Sequence, residues 1–328
     1  MRHLFVVDPL ERLLPGADTT IAFLREAQSR GHRIEACGVD RLGVDVGGRP
    51  RAFASSLQVF DGDAWYTADP PRIQHLDDYD VVWMRKDPPF DLEYLFATNI
   101  LSLLPPHTLV VNEPAALRDA NEKLYALRFP RLCPDTLVSR DIPELLEFRA
   151  QLGGEMVVKP LDGAGGEGVF HITAGDRNAK AILEISTGHG CRYLMAQRYI
   201  PEVRRGDKRI ILVEGEPAGA VLRVPPETEA RANFHAGGRA ARTELTARDR
   251  EICGEVGAAL REIGVVFAGI DVIGEWLTEV NVTSPTGIRQ IRELEGIAIE
   301  TQVLDAVERR LVARRARRTA PRLAAPAN

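Results

Sequence analysis

Three groups of residues between positions 159 and 286 have the types and spacing to do chemistry. Asp271 ends the polar side of the run Val265 to Ile273, and Glu279 and Asn281 alternate along the next run, Leu277 to Val282. Two residues apart on a strand, Glu279 and Asn281 point to one face. With Gly274-Glu275-Trp276 as a three-residue hairpin loop, Ile273 faces Leu277 and Asp271 faces Glu279. Opposed carboxylates repel unless a cation lies between them, and two carboxylates plus an amide oxygen suit magnesium, which also bridges to phosphates. Two solvated acids on an edge strand would give the same pattern.

The second group is Arg209 and Arg223, on runs flanking the turn-rich Glu214 to Ala218. With Gly215 to Pro217 as the loop, the two arginines stand opposite each other, an arrangement that calls for an anion such as a transferring phosphoryl group. A register slip would separate them into two solvated side chains.

The third group is Lys159, at the end of Met156-Val157-Val158, followed by Gly163, Gly165, Gly166 and Gly168. The glycines fit GxGxxG, but a dinucleotide site needs a helix after them, and Val169-Phe170-His171-Ile172 is β-branched and aromatic. Strand, glycine loop, strand describes a flap over phosphates, with the Lys159 ammonium in reach of them. A plain hairpin turn beside a surface lysine is the simpler alternative. No GxxxxGK[ST] segment is present.

These groups need elements to position them. The first third alternates strand (His3 to Val7), helix (Ile21 to Arg30, after N-cap candidates Asp18-Thr19-Thr20) and strand (Arg33 to Val39). Val81 to Met84 and Thr108 to Val111 are further buried-strand candidates, so a small doubly wound α/β sheet is predicted, with polar loops at its carboxyl ends. A helix-like Ala115 to Phe129 leads to strand Thr136 to Ser139, helix Ile142 to Leu152 and strand Met156 to Lys159. Short β runs then dominate: Val169 to Ile172, Tyr193 to Tyr199, Arg209 to Val213 and Gly219 to Val224. An α/β domain over 1–120 followed by an α+β domain over 121–312 is the expected organisation. The Arg-rich segment from 309 reads as a solvated helix end, with 313–328 a disordered tail.

Composition sets broad limits. A charged fraction of 27% and an apolar fraction of 45% are those of a globular protein, and a net charge of −5 argues against a general nucleic-acid binder. The four scattered cysteines form no CxxC pair, which fits reduced thiols. No apolar run is long enough to span a membrane, and a cytoplasmic protein is expected.

The order of these parts resembles the ATP-grasp superfamily, and the motifs resemble bacterial glutathione synthetase over nearly the whole chain. The resembling segments are Met84-Arg85-Lys86-Asp87-Pro88-Pro89-Phe90, Leu117-Arg118-Asp119 with Asn121-Glu122-Lys123-Leu124, and Lys159-Pro160-Leu161-Asp162-Gly163. Met195-Ala196-Gln197, Gly206-Asp207-Lys208-Arg209 and Leu277 through Thr286 complete the set. The resemblance implies a pre-ATP-grasp N-terminal domain, a central lid subdomain over about 121–200 and a catalytic lobe over about 201–312. It implies that Lys123 and Lys159 bind ATP phosphates and that Gln197, Arg198, Tyr199 and Ile200 meet adenine, with Asp207, Arg209 and Arg223 on the phosphate and substrate side. Asp271, Glu279 and Asn281 would hold Mg2+ (or Mn2+), while Arg85, Ser284, Pro285 and Thr286 approach a dipeptide.

The implied reaction activates the cysteinyl carboxylate of γ-glutamylcysteine as an acyl phosphate, which the glycine amine then attacks. Pro225 to Arg239, with Gly237 and Gly238 at its far end, would be a substrate-covering lid. A homo-oligomer, a homotetramer in the resembling family, is implied as well. Gly16-Ala17 stands where some relatives carry lysines, so an ATP-grasp ligase for another γ-glutamyl or peptide carboxylate and amine stays open as the alternative.

Overall fold

The computed structural model describes residues 1–163, 165–226 and 237–319, with side chains described to residue 316 in the last helix. The N-terminal sheet is built on parallel strands β1 (Arg2–Val6), β2 (Arg33–Cys37), β7 (Val81–Met84) and β8 (Leu109–Val111) in the order β2-β1-β7-β8. This is the doubly wound pattern expected. Strand β4 (Pro50–Val59) adds antiparallel to β2 and carries β3 (Leu42–Val44), β5 (Tyr66–Ala68) and β6 (Arg72–His75). The sequence reading missed this extension.

Alternation along the buried strands sends side chains to two cores. Leu4, Val6, Val82 and Met84 meet helices α2 (Leu92–Leu101) and α3 (Pro114–Asp119). Phe5, Val81 and Trp83 meet helix α1 (Thr19–Ser29), whose Ile21, Phe23, Leu24 and Ala27 are fully buried. The Asp18 carboxylate caps that helix by accepting from Thr20 N at 2.6 Å.

The expected helix Ala115 to Phe129 is instead broken after Asp119, and only a short 3-10 turn re-forms at Tyr125–Arg128. The cause is local: Asn121 Oδ1 accepts from Lys123 N and Leu124 N, offering the backbone a turn in place of helix.

A second, antiparallel sheet runs β11-β10-β12-β9, from β9 (Thr136–Ser139), β10 (Met156–Pro160), β11 (Phe170–Ile172) and β12 (Leu194–Arg198). Helices α4 (Ile142–Gln151) and α5 (Ala179–Ser186) cover one face, giving this lobe a small core of its own around Leu145, Val158, Leu183 and Leu194. The third sheet, β15-β14-β13-β16-β17, comprises β13 (Asp207–Val213), β14 (Glu216–Val224), β15 (Arg239–Ala241), β16 (Phe267–Ile273) and β17 (Trp276–Asn281). Helix α6 (Ala247–Glu262) packs on one side, and α7 (Ile288–Glu295) and α8 (Ile299–Thr319) on the other. Both of its cores are continuous with the N-terminal ones, and buried Asn112 joins the two sheets. Its amide donates to Phe267 O and Val282 O and accepts from Val266 N and Phe267 N.

Three expectations need correction. The β13–β14 turn is Glu214-Gly215, with a bulge beyond Ile211, so Arg223 faces Asp207 and Arg209 faces Val221; the arginines share a face as diagonal neighbours. The β16–β17 turn is two residues, Gly274-Glu275, and Ile273 pairs with Trp276, yet a bulge after Asp271 restores the Asp271–Glu279 pairing. Residues 313–319 continue α8, and the arginines before and within that stretch are engaged. Arg309 and Arg310 bind the Glu214 carboxylate, Arg314 donates to Pro106 O and Thr108 O, and Arg315 binds Asp80. Residues 320–328 of the expected tail lie outside the described residues.

Candidate active site

A cavity of about 640 Å³ opens between the second and third sheets. On the second-sheet side β10 delivers Lys159, and the glycine loop follows it. Gly165, Gly166 and Gly168 have φ of 63°, 81° and 69°, and a Cβ on Gly163 would lie 2.8 Å from Pro160 Cγ. The chain therefore turns back as β11, in the strand–loop–strand order expected, and Gly163, Gly165, Gly166 and Gly168 line the cavity. Lys123 Nζ donates to Gly163 O at 2.6 Å and to Glu122 Oε1 at 2.5 Å.

Gln197, Arg198, Tyr199 and Ile200 line the cavity where β12 ends. Gln197 is buried and donates to Thr136 Oγ1. Tyr199 stacks on His171 at 3.9 Å, and His171 Nε2 lies 2.8 Å from Glu155 Oε1. Val157, Val203 and Ile273 line the cavity beside them and make this part of its wall partly apolar.

The third-sheet side carries the charge. Asp271 accepts from Arg209 Nε at 2.5 Å and Arg209 Nη2 at 2.9 Å, and its Oδ2 also lies 2.9 Å from Arg223 Nη2. Arg223 Nη2 donates to Asp207 Oδ2 at 2.5 Å. The anion that the paired arginines call for is thus supplied in part by the protein's own carboxylates. Burial raises the Asp271 carboxyl, but the two arginines outweigh it and hold it well below the usual carboxylate range. Asp207 goes the other way: burial pushes it up to about 6 against the pull of Arg223, and nearby Asp271 adds to the rise. The guanidinium of Arg223 is disfavoured by burial, yet Asp207 and Asp271 more than restore it.

Glu279 faces Asp271 across the hairpin, with Lys159 Nζ 3.8 Å from its Oε1. Asn281 shares that face, and its buried Nδ2 has no hydrogen-bond partner among the described residues; the same is true of Asp207 Oδ1 and Arg223 Nε. Buried polar atoms left in this state at a cavity wall are sites for a polar ligand. The donor set of two carboxylates and an amide fits a hard divalent cation that completes its shell with water and phosphate oxygens. No group of three or more His, Cys, Asp or Glu side chains is placed to hold a metal among the described residues.

Ser284, Pro285 and Thr286 line the cavity on the loop after β17, and Thr286 O accepts from Arg209 Nη1 at 3.2 Å. Arg85 does not reach the cavity wall. It is buried behind this loop, donating to Thr20 Oγ1, Thr283 O and Pro285 O, with its guanidinium between Phe23 and Phe267. Gly237 and Gly238 are not among the lining residues either, and 227–236 of the expected lid lie outside the described residues.

Glu122, Asp87, Pro88, His171, Thr278 and Thr283 also line the cavity, unforeseen. Glu122 is the one with electrostatic weight. Burial and the neighbouring Glu279 raise its carboxyl, while Lys123 pulls it down. Its position directly before Lys123 was the available signal, hidden by the expectation of a continuous helix. Lys123 loses charge preference to burial but regains more from Glu279 and Glu122, and its pKa is raised.

Comparisons with known proteins agree along the chain. The family described as prokaryotic glutathione synthetase matches twice, its N-terminal domain over residues 1–118 and its ATP-grasp domain over 122–296. A glutathione synthetase of Gloeobacter violaceus is 48% identical over 312 residues, covering 93% of this chain and 96% of the relative. One from Synechococcus elongatus is 46% identical over 319 residues, covering 94% and 98%. Among solved structures, a D-cycloserine synthetase superposes with a TM-score of 0.64 at 17% identity, covering 94% of this chain and all of that one. A macrocyclase from Microcystis aeruginosa bound with its precursor peptide gives 0.64 at 16% identity, with the same coverage.

Proposed function

The chain belongs to the prokaryotic glutathione synthetase family and has the ATP-grasp fold of an ATP-dependent ligase, and from that premise we propose that it joins γ-glutamylcysteine to glycine. The observation that carries the reading is the convergence on one cavity of Lys123, Lys159, the glycine loop, the Asp207–Arg223–Asp271–Arg209 network and the Glu279–Asn281 face. These groups suit a nucleoside triphosphate with a divalent cation, and the polar loop Ser284 to Thr286 leaves room for a second substrate beside them.

In this reading the wall at Gln197 to Ile200 takes adenine, and Lys123, Lys159 and the glycine-loop amides hold the phosphates. Asp271, Glu279 and Asn281 would hold magnesium or manganese, which neutralises phosphate charge when bound. A carboxylate oxygen of γ-glutamylcysteine attacks the γ-phosphorus, the bond to ADP breaks, and Arg209 and Arg223 offset the charge that spreads over the transferring group. The glycine nitrogen then attacks the acyl carbon, phosphate leaves with the bonding pair, and the amine gives up its extra proton. No protein nucleophile takes part. Rate comes from alignment, from charge placed before the reaction, and from cover that keeps water off the acyl phosphate.

Arg85 would contribute by bracing Thr283 to Pro285, on which the dipeptide rests. Gly237 and Gly238 would flank the substrate side of the cover, and a cytoplasmic homotetramer is part of the same reading. Gly16-Ala17 leaves one alternative, a ligase for another γ-glutamyl or peptide carboxylate, because some members of the resembling family carry lysines there that could contact the γ-glutamyl end.

The test combines the protein with ATP, magnesium, γ-glutamylcysteine and glycine, following phosphate release and the tripeptide by mass spectrometry. Stoichiometric tripeptide and phosphate, lost in Glu279→Gln, are expected. ATP binding without tripeptide would remove the substrate assignment and leave the ligase fold.

A further inference from the structure

We propose that Asn121 is a positioning residue that clasps the glycine loop to the catalytic lobe, so that loop closure and the Lys123 phosphate contact act as one unit. The inference deepens the functional reading and rests on it where ATP is concerned. Its basis is a set of contacts in the stretch where the expected helix fails. Asn121 Nδ2 donates to Leu161 O at 3.0 Å, while Oδ1 accepts from Lys123 N at 3.1 Å and Leu124 N at 3.0 Å. One amide therefore shapes the turn that presents Lys123 and grips the segment leading into the loop.

Two residues on, Lys123 Nζ donates to Gly163 O, so the start of the loop is held at two carbonyls from one short segment. The same segment is fixed from the other side, where Val280 N donates to Glu122 O at 2.8 Å. Strand β17, which carries Glu279 and Asn281, is thereby tied through residues 121–123 to a loop that belongs to a lobe with a separate core. An ammonium has three protons. With two given to Gly163 O and Glu122 Oε1, the third is left for a phosphate oxygen, and Lys123 need not release the loop to make that contact.

Two variants separate the clasp from the turn. Asn121→Ala removes both functions; Asn121→Asp keeps an acceptor for Lys123 N and Leu124 N but has no donor for Leu161 O at neutral pH. In the ligand-free protein, amide hydrogen exchange over residues 161–169 should rise by about fivefold or more in both variants, with exchange in β16 and β17 unchanged. In steady state, KM for ATP should rise about 5- to 30-fold in both while kcat stays within about threefold, the signature of a lost positioning contact. Wild-type exchange and KM in Asn121→Asp would overturn the proposal, as would faster exchange with an unchanged KM. If the wild type fails to turn over ATP, the functional reading falls, and the exchange measurement still decides whether the clasp exists.

Discussion

Asp271 and Glu279 face each other on one hairpin, yet their replacement should have very unequal effects on stability. Both oxygens of Asp271 are engaged by Arg209 and Arg223, and all three side chains are at least 90% buried. Asp271→Asn strands Arg209 and leaves Arg223 with Asp207 alone; removing one partner of a buried ion pair costs about 3–5 kcal/mol. At about 2 °C per kcal/mol for a chain of this size, the thermal midpoint should fall by about 6–10 °C. Glu279 has Lys159 at 3.8 Å and the Lys123 ammonium within electrostatic reach, set against the carboxylates of Asp271 and Glu122. Glu279→Gln relieves a like-charge cross-strand pair worth about 0.2–1 kcal/mol and gives up attractions to Lys159 and Lys123 of similar size, so the midpoint should stay within about 2 °C of wild type. Ligation should nevertheless fall by about a hundredfold or more, because the carboxylate removed is one that a cation needs. Scanning calorimetry in EDTA without nucleotide, paired with phosphate release, reads both quantities. A Glu279→Gln midpoint more than about 4 °C below wild type, or an Asp271→Asn midpoint indistinguishable from it, would refute the reasoning.

Gly168→Ala forces a side chain onto φ of 69° with its Cβ 2.9 Å from Pro160 Cγ, so about 1–2 kcal/mol of local strain and a KM for ATP raised about tenfold are expected from calorimetry and kinetics. Asn112→Ala orphans four backbone groups where the N-terminal sheet meets the third, and should cost about 3 kcal/mol in urea unfolding, more than any exposed Asn change. Asp207 has a folded pKa of about 6 against 3.8 unfolded, so the folded state holds the proton more tightly. Its contribution to stability then falls as pH rises between those values, and is constant above and below them. Relative to wild type, Asp207→Asn should gain about 1–3 kcal/mol between pH 4 and pH 7 in urea titrations, whereas a pH-independent difference would show that the carboxyl is not raised.

The site was more legible than the path of the chain between its parts, and the reason lies in the range of the signals. Lys159, Gly163, Asp271, Glu279 and Asn281 announce themselves within a few residues, through strand alternation and glycine spacing that backbone geometry enforces locally. Register is set by bulges, which leave no comparable mark. At β16–β17 a shorter turn and a bulge cancelled, and Asp271 still met Glu279; at β13–β14 they did not cancel, and Arg223 met Asp207 instead of Arg209. The second outcome is chemically the more informative, because it gives each arginine a carboxylate of the protein and leaves Asp207 Oδ1 and Arg223 Nε unpartnered at the wall. Arg85 fails in another way. The resemblance implies a substrate contact for it, but the loop it braces is some 200 residues away, with Pro285 O accepting at 3.4 Å, and no local pattern encodes that distance. Glu122 and Asn121 were lost to helix propensity, which a single side-chain amide overrode. Where local preference was broken in this chain, as at 119–124, the break set the Lys123 ammonium against the start of the glycine loop.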